Sequence, residues 1–161
     1  MCHLGDYNRS MYASKIRREI EKYLDARPDE AAFLRSEFDE CGATRSGVNK
    51  ALRAMVSDSV LLKGGYGVYL RTSRRRSTLS GNTIIAPSVL PEQWVREVLR
   101  KLGVDPQIDS ATRAYNENRT TQVPVWLAFD VGASRIKRKL ADRGRTVVYE
   151  RSYIDSKTVD Y

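Results

Sequence analysis

Histidine and cysteine are scarce in this chain of 161 residues. There is one histidine, His3, and there are two cysteines, Cys2 and Cys41. A Ser-His-Asp arrangement has no histidine outside the extreme N-terminus to work with. Cys41 has no neighbouring histidine to activate it. Closed zinc sites take about four ligands, and Cys2, His3 and Cys41 supply three at most. The two cysteines are read as free thiols in a reducing compartment rather than as a redox pair or half a metal site. The carboxylates are interspersed with basic residues, as on solvated helix faces, and the adjacent Asp39 and Glu40 would point apart on a helix. No apolar run approaches the roughly 20 residues that span a bilayer. The first residues lack the basic-then-apolar order of a secretion signal. These scarcities point to a protein that is not an enzyme, carries no cofactor or metal, does not engage a membrane and resides in the cytoplasm.

What is abundant is positive charge, unevenly spread. The net charge is +8, from 28 Lys and Arg against 20 Asp and Glu. Residues 10–40 carry −2. Residues 41–77 carry Arg45, Lys50, Arg53, Lys63, Arg71, Arg74, Arg75 and Arg76 against Asp58 alone, for +7. Residues 135–145 add +5. Local excesses of this kind attract a polyanion. With 41% hydrophobic residues the chain can also bury a core.

The pattern of apolar residues predicts an α+β fold in two parts. Residues 1–9 read as a frayed leader. Ile16, Ile20, Tyr23 and Leu24 then recur at helical spacing until Pro28. Phe33, Leu34 and Phe38 mark a helix of one or two turns, followed by a turn with Gly42 near the C′ position. Thr44 is a good N-cap for a second amphipathic helix, with Val48, Ala51, Leu52, Met55 and Val56 on one face. The other face carries Arg45, Ser46, Asn49, Lys50 and Arg53. Two β-prone runs around Gly64-Gly65-Tyr66-Gly67 form a hairpin. Those glycines lack the Gly-Lys-Ser/Thr ending of a phosphate loop, and no helix follows them. Together these elements predict a winged helix-turn-helix over residues 1–77. Its core is expected to rest on Ile16, Ile20, Leu24, Phe33, Phe38, Leu52, Met55 and Leu61.

Residues 71–77 read as a basic linker, and residues 78–161 as a small mixed α/β module. Trp94, Val95, Val98, Leu99 and Leu102 mark a helix, with Pro91 near its start and Gly103 closing it. Gln107-Ile108 reads as extended, Ser110 as the cap of a brief helix through Tyr115, and Val123 to Phe129 as a strand. Ser134–Leu140 and Thr146–Glu150 read as a hairpin joined by Asp142-Arg143-Gly144.

These placements imply contacts with double-stranded DNA. The first turns of the second helix bring Arg45, Ser46 and Asn49 to base edges. Arg bonds guanine bidentately, and Asn does the same with adenine. Gly47 allows close backbone approach. Lys50 and Arg53 are placed at phosphates, and Lys63 and Tyr66 at the backbone or minor groove. Arg74, Arg75 and Arg76 stand equally as groove or phosphate contacts and as solvated linker. In the C-terminal hairpin Arg135, Lys137 and Lys139 project from one strand face. They form either a second anionic contact surface or a guard on a sheet edge.

Three blocks carry a resemblance. The first is Leu62-Lys63-Gly64-Gly65-Tyr66-Gly67-Val68-Tyr69, and the second is Asn118-Arg119-Thr120-Thr121-Gln122-Val123-Pro124-Val125. The third is the run beginning Ser134-Arg135-Ile136-Lys137. With them, residues 13–150 resemble the antitoxins of AbiEi-type (type IV) toxin–antitoxin systems and their short relatives. The chain departs from that family at Asn116-Glu117-Asn118-Arg119, where members carry a Leu-Gly-Leu-like run. The resemblance implies a basic winged helix before a mixed α/β module, and a repressor acting on its own promoter through Arg45, Lys50, Arg53 and Lys63. It further implies a toxin countered without a tight direct complex. The competing expectation is an interaction protein whose basic C-terminal hairpin docks on RNA or a protein partner.

Overall fold

Helical periodicity sets the first element. In the computed structural model, which describes residues 4–124 and 127–151, helix α1 runs Leu4–Asp25. It begins well before Ser14, so the expected leader is largely helical. Cys2 and His3 lie outside the described residues. The buried faces of α1 and of α2 (Arg45–Ser57) meet over one core. That core holds Ile16, Ile20, Leu24, Phe33, Phe38, Val48, Ala51, Leu52, Met55, Leu61 and Tyr69, and so includes all eight residues expected there. Tyr23 and Phe38 pack edge to face with ring centroids 5.3 Å apart. Truncating one such buried aliphatic to Ala costs about 2–5 kcal/mol.

The stretch expected as a short helix splits in two. Ala32–Leu34 is strand β1, buried at all three positions. A 3-10 helix, Arg35–Cys41, follows. A strand buried on both faces shows no alternation, so nothing in its pattern separates it from a helix. Gly42 has extended backbone, with φ −152°, and not the left-handed C′ conformation. Its lack of a side chain matters for packing instead: a Cβ there would lie 2.9 Å from Val48 Cγ2 and 3.2 Å from Ile16 Cδ1.

Strands β2 (Leu61–Gly65) and β3 (Val68–Arg76) form the hairpin around Tyr66 and Gly67. The sheet order is β1-β3-β2, and β4 (Thr83–Pro87) pairs antiparallel with the outer half of β3. The basic stretch from Arg71 is therefore not a linker, because β3 continues through Arg76. The expected boundary at residue 77 falls in the turn between two paired strands. The compact units are instead 1–63 with 67–89, and 64–66 with 90–161.

Arg71 ties the first unit together. Its guanidinium donates to the carbonyls of Leu24, Arg27 and Glu30 at 2.8–3.0 Å. Those carbonyls close α1 and the turn after it. The Leu24 and Arg27 oxygens also accept from the N–H groups of Arg27 and Glu30 at 3.1 and 3.2 Å, so Arg71 takes up their second lone pairs.

The second unit is built around α3 (Pro91–Lys101), with Pro91 opening it and Gly103 beyond its end at φ +79°. Trp94, Val95, Val98 and Leu99 are buried. A three-stranded sheet has the order β5 (Gln107–Ile108), β6 (Ala128–Asp130), β9 (Val148–Glu150), with β6 and β9 parallel. Between β5 and β6 lies α4 (Ser110–Asn116), capped by the buried Asp109 rather than by Ser110. Of the strand expected over Val123 to Phe129, Ala128 and Phe129 fall in β6; Val125 and Trp126 lie outside the described residues. β7 (Ala141–Asp142) and β8 (Arg145–Thr146) form a minimal hairpin turning at Arg143-Gly144. Gly65 bridges Leu140 within this unit, and a Cβ on it would meet the Lys139 carbonyl at 2.4 Å.

Candidate nucleic-acid interface

Thr44 starts α2 as expected: its Oγ1 accepts from the Gly47 N–H at 3.1 Å. That cap fixes the phase of the helix. Val48, Ala51, Leu52 and Met55 turn inward. Arg45, Ser46, Asn49, Lys50 and Arg53 then fall within an arc of roughly 140° on the opposite side, at 100° per residue. Arg45, Ser46, Lys50 and Arg53 are exposed, and Asn49 is half-buried.

Asn49 has a partner within the fold. The Arg35 Nε donates to its Oδ1 at 2.7 Å. Arg35 also pairs with Asp39 and reaches the Arg45 carbonyl at 3.3 Å. The carbonyl side of the amide thus faces Arg35, and the NH2 remains as the group to offer a ligand. Arg35 was not among the expected site residues. It stands in the stretch read as a short helix, and no local spacing links it to Asn49.

The electrostatics of the first unit favour an anion. Asp58, the sole acid of residues 41–77, pairs with Arg17 at 2.5 Å. Arg71 faces backbone carbonyls and leaves the surface count. Seven cations of that stretch remain exposed: Arg45, Lys50, Arg53, Lys63, Arg74, Arg75 and Arg76. Among the described residues none of the seven enters an ion pair. Arg76 does donate to the Gly81 carbonyl at 3.1 Å.

The remaining expected residues lie in the second unit. Tyr66 is 83% exposed at its turn. Residues 134–139 are not a regular strand, yet their burial alternates. Ser134, Ile136 and Arg138 are half-buried; Arg135, Lys137 and Lys139 are exposed. Side chains hold this segment where a ladder was expected. Arg151 donates to the carbonyls of Ser134 and Ile136 at 3.1 and 2.8 Å, and the Tyr149 hydroxyl to that of Arg138 at 2.7 Å. The outward projection of the three cations thus survives without the strand.

No family model, curated protein or solved structure matches this chain.

Proposed function

We propose that this protein is a sequence-specific DNA-binding repressor whose first unit reads a duplex as a winged helix-turn-helix. The observation that carries this reading is the exposed polar face of α2, cationic at three positions and opposite a fully buried one. The order of elements supports it: α1, β1, the 3-10 helix, α2, then the β2–β3 hairpin, with β1 beside β3. A helix of this width fits the major groove, and its N-terminal turns reach base edges. Arg45 then reads guanine O6 and N7. Asn49, with its oxygen held by Arg35, donates its NH2 to acceptors such as purine N7. Lys50, Arg53 and Lys63 neutralise phosphates. The natural target is the promoter of its own gene, and the resemblance to AbiEi-type antitoxins makes antitoxin the specific form of the role. The toxin would then be countered without a tight direct complex, in the cytoplasm.

The second reading, an interaction protein, is favoured by the outward row Arg135, Lys137 and Lys139, which suits RNA or an acidic protein surface. Binding to the DNA upstream of the gene, compared with scrambled duplex at equal salt, separates the two. A repressor retains its own promoter selectively, and Arg45→Ala loses about 1–3 kcal/mol of that discrimination. Equal retention of any polyanion by wild type would sink the repressor reading.

A further inference from the structure

Beyond Thr72, β3 leaves the β1-β3-β2 sheet and runs on with β4 alone, in register from Thr72↔Pro87 to Arg76↔Thr83. That ribbon is roughly 13 Å long at 3.3 Å per residue. In its inner half Ala86 is buried and Thr72, Ser73 and Pro87 are half-buried, while Arg74, Arg75, Arg76, Thr83, Ile84 and Ile85 are exposed. Cross-strand pairs share a face. One face thus carries Arg74, Arg76, Thr83 and Ile85, and the other carries Arg75 and Ile84. The turn is built rather than loose. The Ser77 N–H donates to the Asn82 carbonyl at 2.8 Å, the Gly81 N–H to the Ser77 carbonyl at 2.9 Å, and Gly81 sits at φ +69°. Leu79 stands at its apex, 99% exposed.

The fold gains little from this composition. A two-stranded ribbon without a core beneath it is marginal in water, and three successive arginines repel one another. No Asp or Glu occurs from Ser59 to Pro91 to offset them. Apolar side chains on a cationic ribbon, with a bare leucine at the tip, instead match the way architectural proteins grip DNA. Cations lie on the backbone and an apolar wedge presses on base steps in the minor groove.

We propose that the β3–β4 hairpin is an arm that grips the duplex: Arg74, Arg75 and Arg76 lie along phosphates, and Leu79 presses into the minor groove. This rests on duplex DNA being the ligand of the first unit, and it adds a sequence-tolerant contact that the α2 reading does not contain. A second copy is the poorer occupant of the β4 edge, because pairing would set two arginine ribbons side by side.

The test is a salt titration of full-length protein on its promoter DNA and on scrambled duplex. Replacing Arg74, Arg75 and Arg76 with Gln flattens the slope of log affinity against log salt by about two to three units on both duplexes. Promoter preference is kept. Replacing them with Lys restores most of the slope. Leu79→Ser, whose side chain touches nothing in the fold, leaves the slope alone and weakens binding about tenfold. Unchanged slope and affinity in variants with intact circular dichroism overturn the arm. A wild-type dimer that Leu79→Ser dissociates, with DNA affinity unchanged, also overturns it in favour of self-association. If wild type lacks promoter preference but the Gln variant still flattens the slope, the α2 reading fails and the arm stands. If wild type binds no duplex, both fail.

Discussion

The Arg35 side chain holds Asn49 by its amide oxygen, Nε to Oδ1 at 2.7 Å, across fourteen residues of sequence. One side chain comes from the 3-10 helix and the other from the exposed face of α2. The bond makes Asn49 a donor with a fixed aim rather than an amide free to flip. Side chains so held discriminate better, because little rotamer freedom is lost on binding.

Arg35→Ala is therefore expected to relax promoter preference although Arg35 need not touch DNA. Its effect and that of Asn49→Ala should not add. A double-mutant cycle on promoter-over-scrambled discrimination is expected to give a coupling of about 0.5–3 kcal/mol. Strict additivity would mean that Arg35 does not position Asn49.

Arg71 is the cation of the basic stretch that works inside the fold. Arg71→Met removes donors from three carbonyls and the guanidinium lying 5.5 Å from the Phe33 ring centroid. The Leu24 and Arg27 carbonyls keep the N–H groups of Arg27 and Glu30 as donors. The loss is therefore that of three hydrogen bonds from a charged donor, discounted for partial exposure. Urea unfolding is expected to show about 3 kcal/mol. Lys recovers only part of it, since an ammonium lacks the planar fork. A loss below about 1 kcal/mol would show that water serves those carbonyls as well.

The row Arg135, Lys137 and Lys139 is expected to act as a second anionic contact. Replacing all three with Gln should flatten the salt slope on promoter DNA by about two to three units if each meets a phosphate. An unchanged slope leaves this row to protect an edge or to serve another partner.

Alkali should unfold the protein earlier than surface charges alone would. Burial is the leading cause that raises the pKa of the Cys41 thiol and of the Tyr23 and Tyr149 hydroxyls above their ordinary values. In the unfolded chain these groups ionise at about pH 8.5 and 10. The native state keeps its protons longer, so the unfolded state binds fewer protons in that window and stability falls as pH rises. Stability is full below about pH 8 and declines through about pH 10 and above. Urea midpoints across this range, with Tyr149→Phe flattening the decline, check the sign. The same shift predicts slow alkylation of Cys41 at neutral pH, because the thiolate is the reactive form.

The sequence by itself determined those parts whose cause is local. Helical spacing of Ile16, Ile20 and Leu24, and of Val48, Leu52 and Met55, placed the main helices and their shared core. Thr44 capped α2 through a bond three residues long, and Pro91 with Gly103 bracketed α3. Alternation from Arg135 to Lys139 predicted which side chains face outward even where no ladder forms. Tertiary structure alone decided what depends on distant partners. β1 is buried on both faces and so has no period to read. β4 exists because residues 83–87 find the outer half of β3, which turned an apparent linker into a ribbon. Gly42 is required by Val48 and Ile16 rather than by its own turn. Arg71 looks like one more surface cation until the chain brings Leu24, Arg27 and Glu30 to it from more than forty residues away, and Asn49 looks free until Arg35 arrives. Charge and periodicity are written residue by residue, whereas a hydrogen bond needs both of its ends in place, and folding supplies the second.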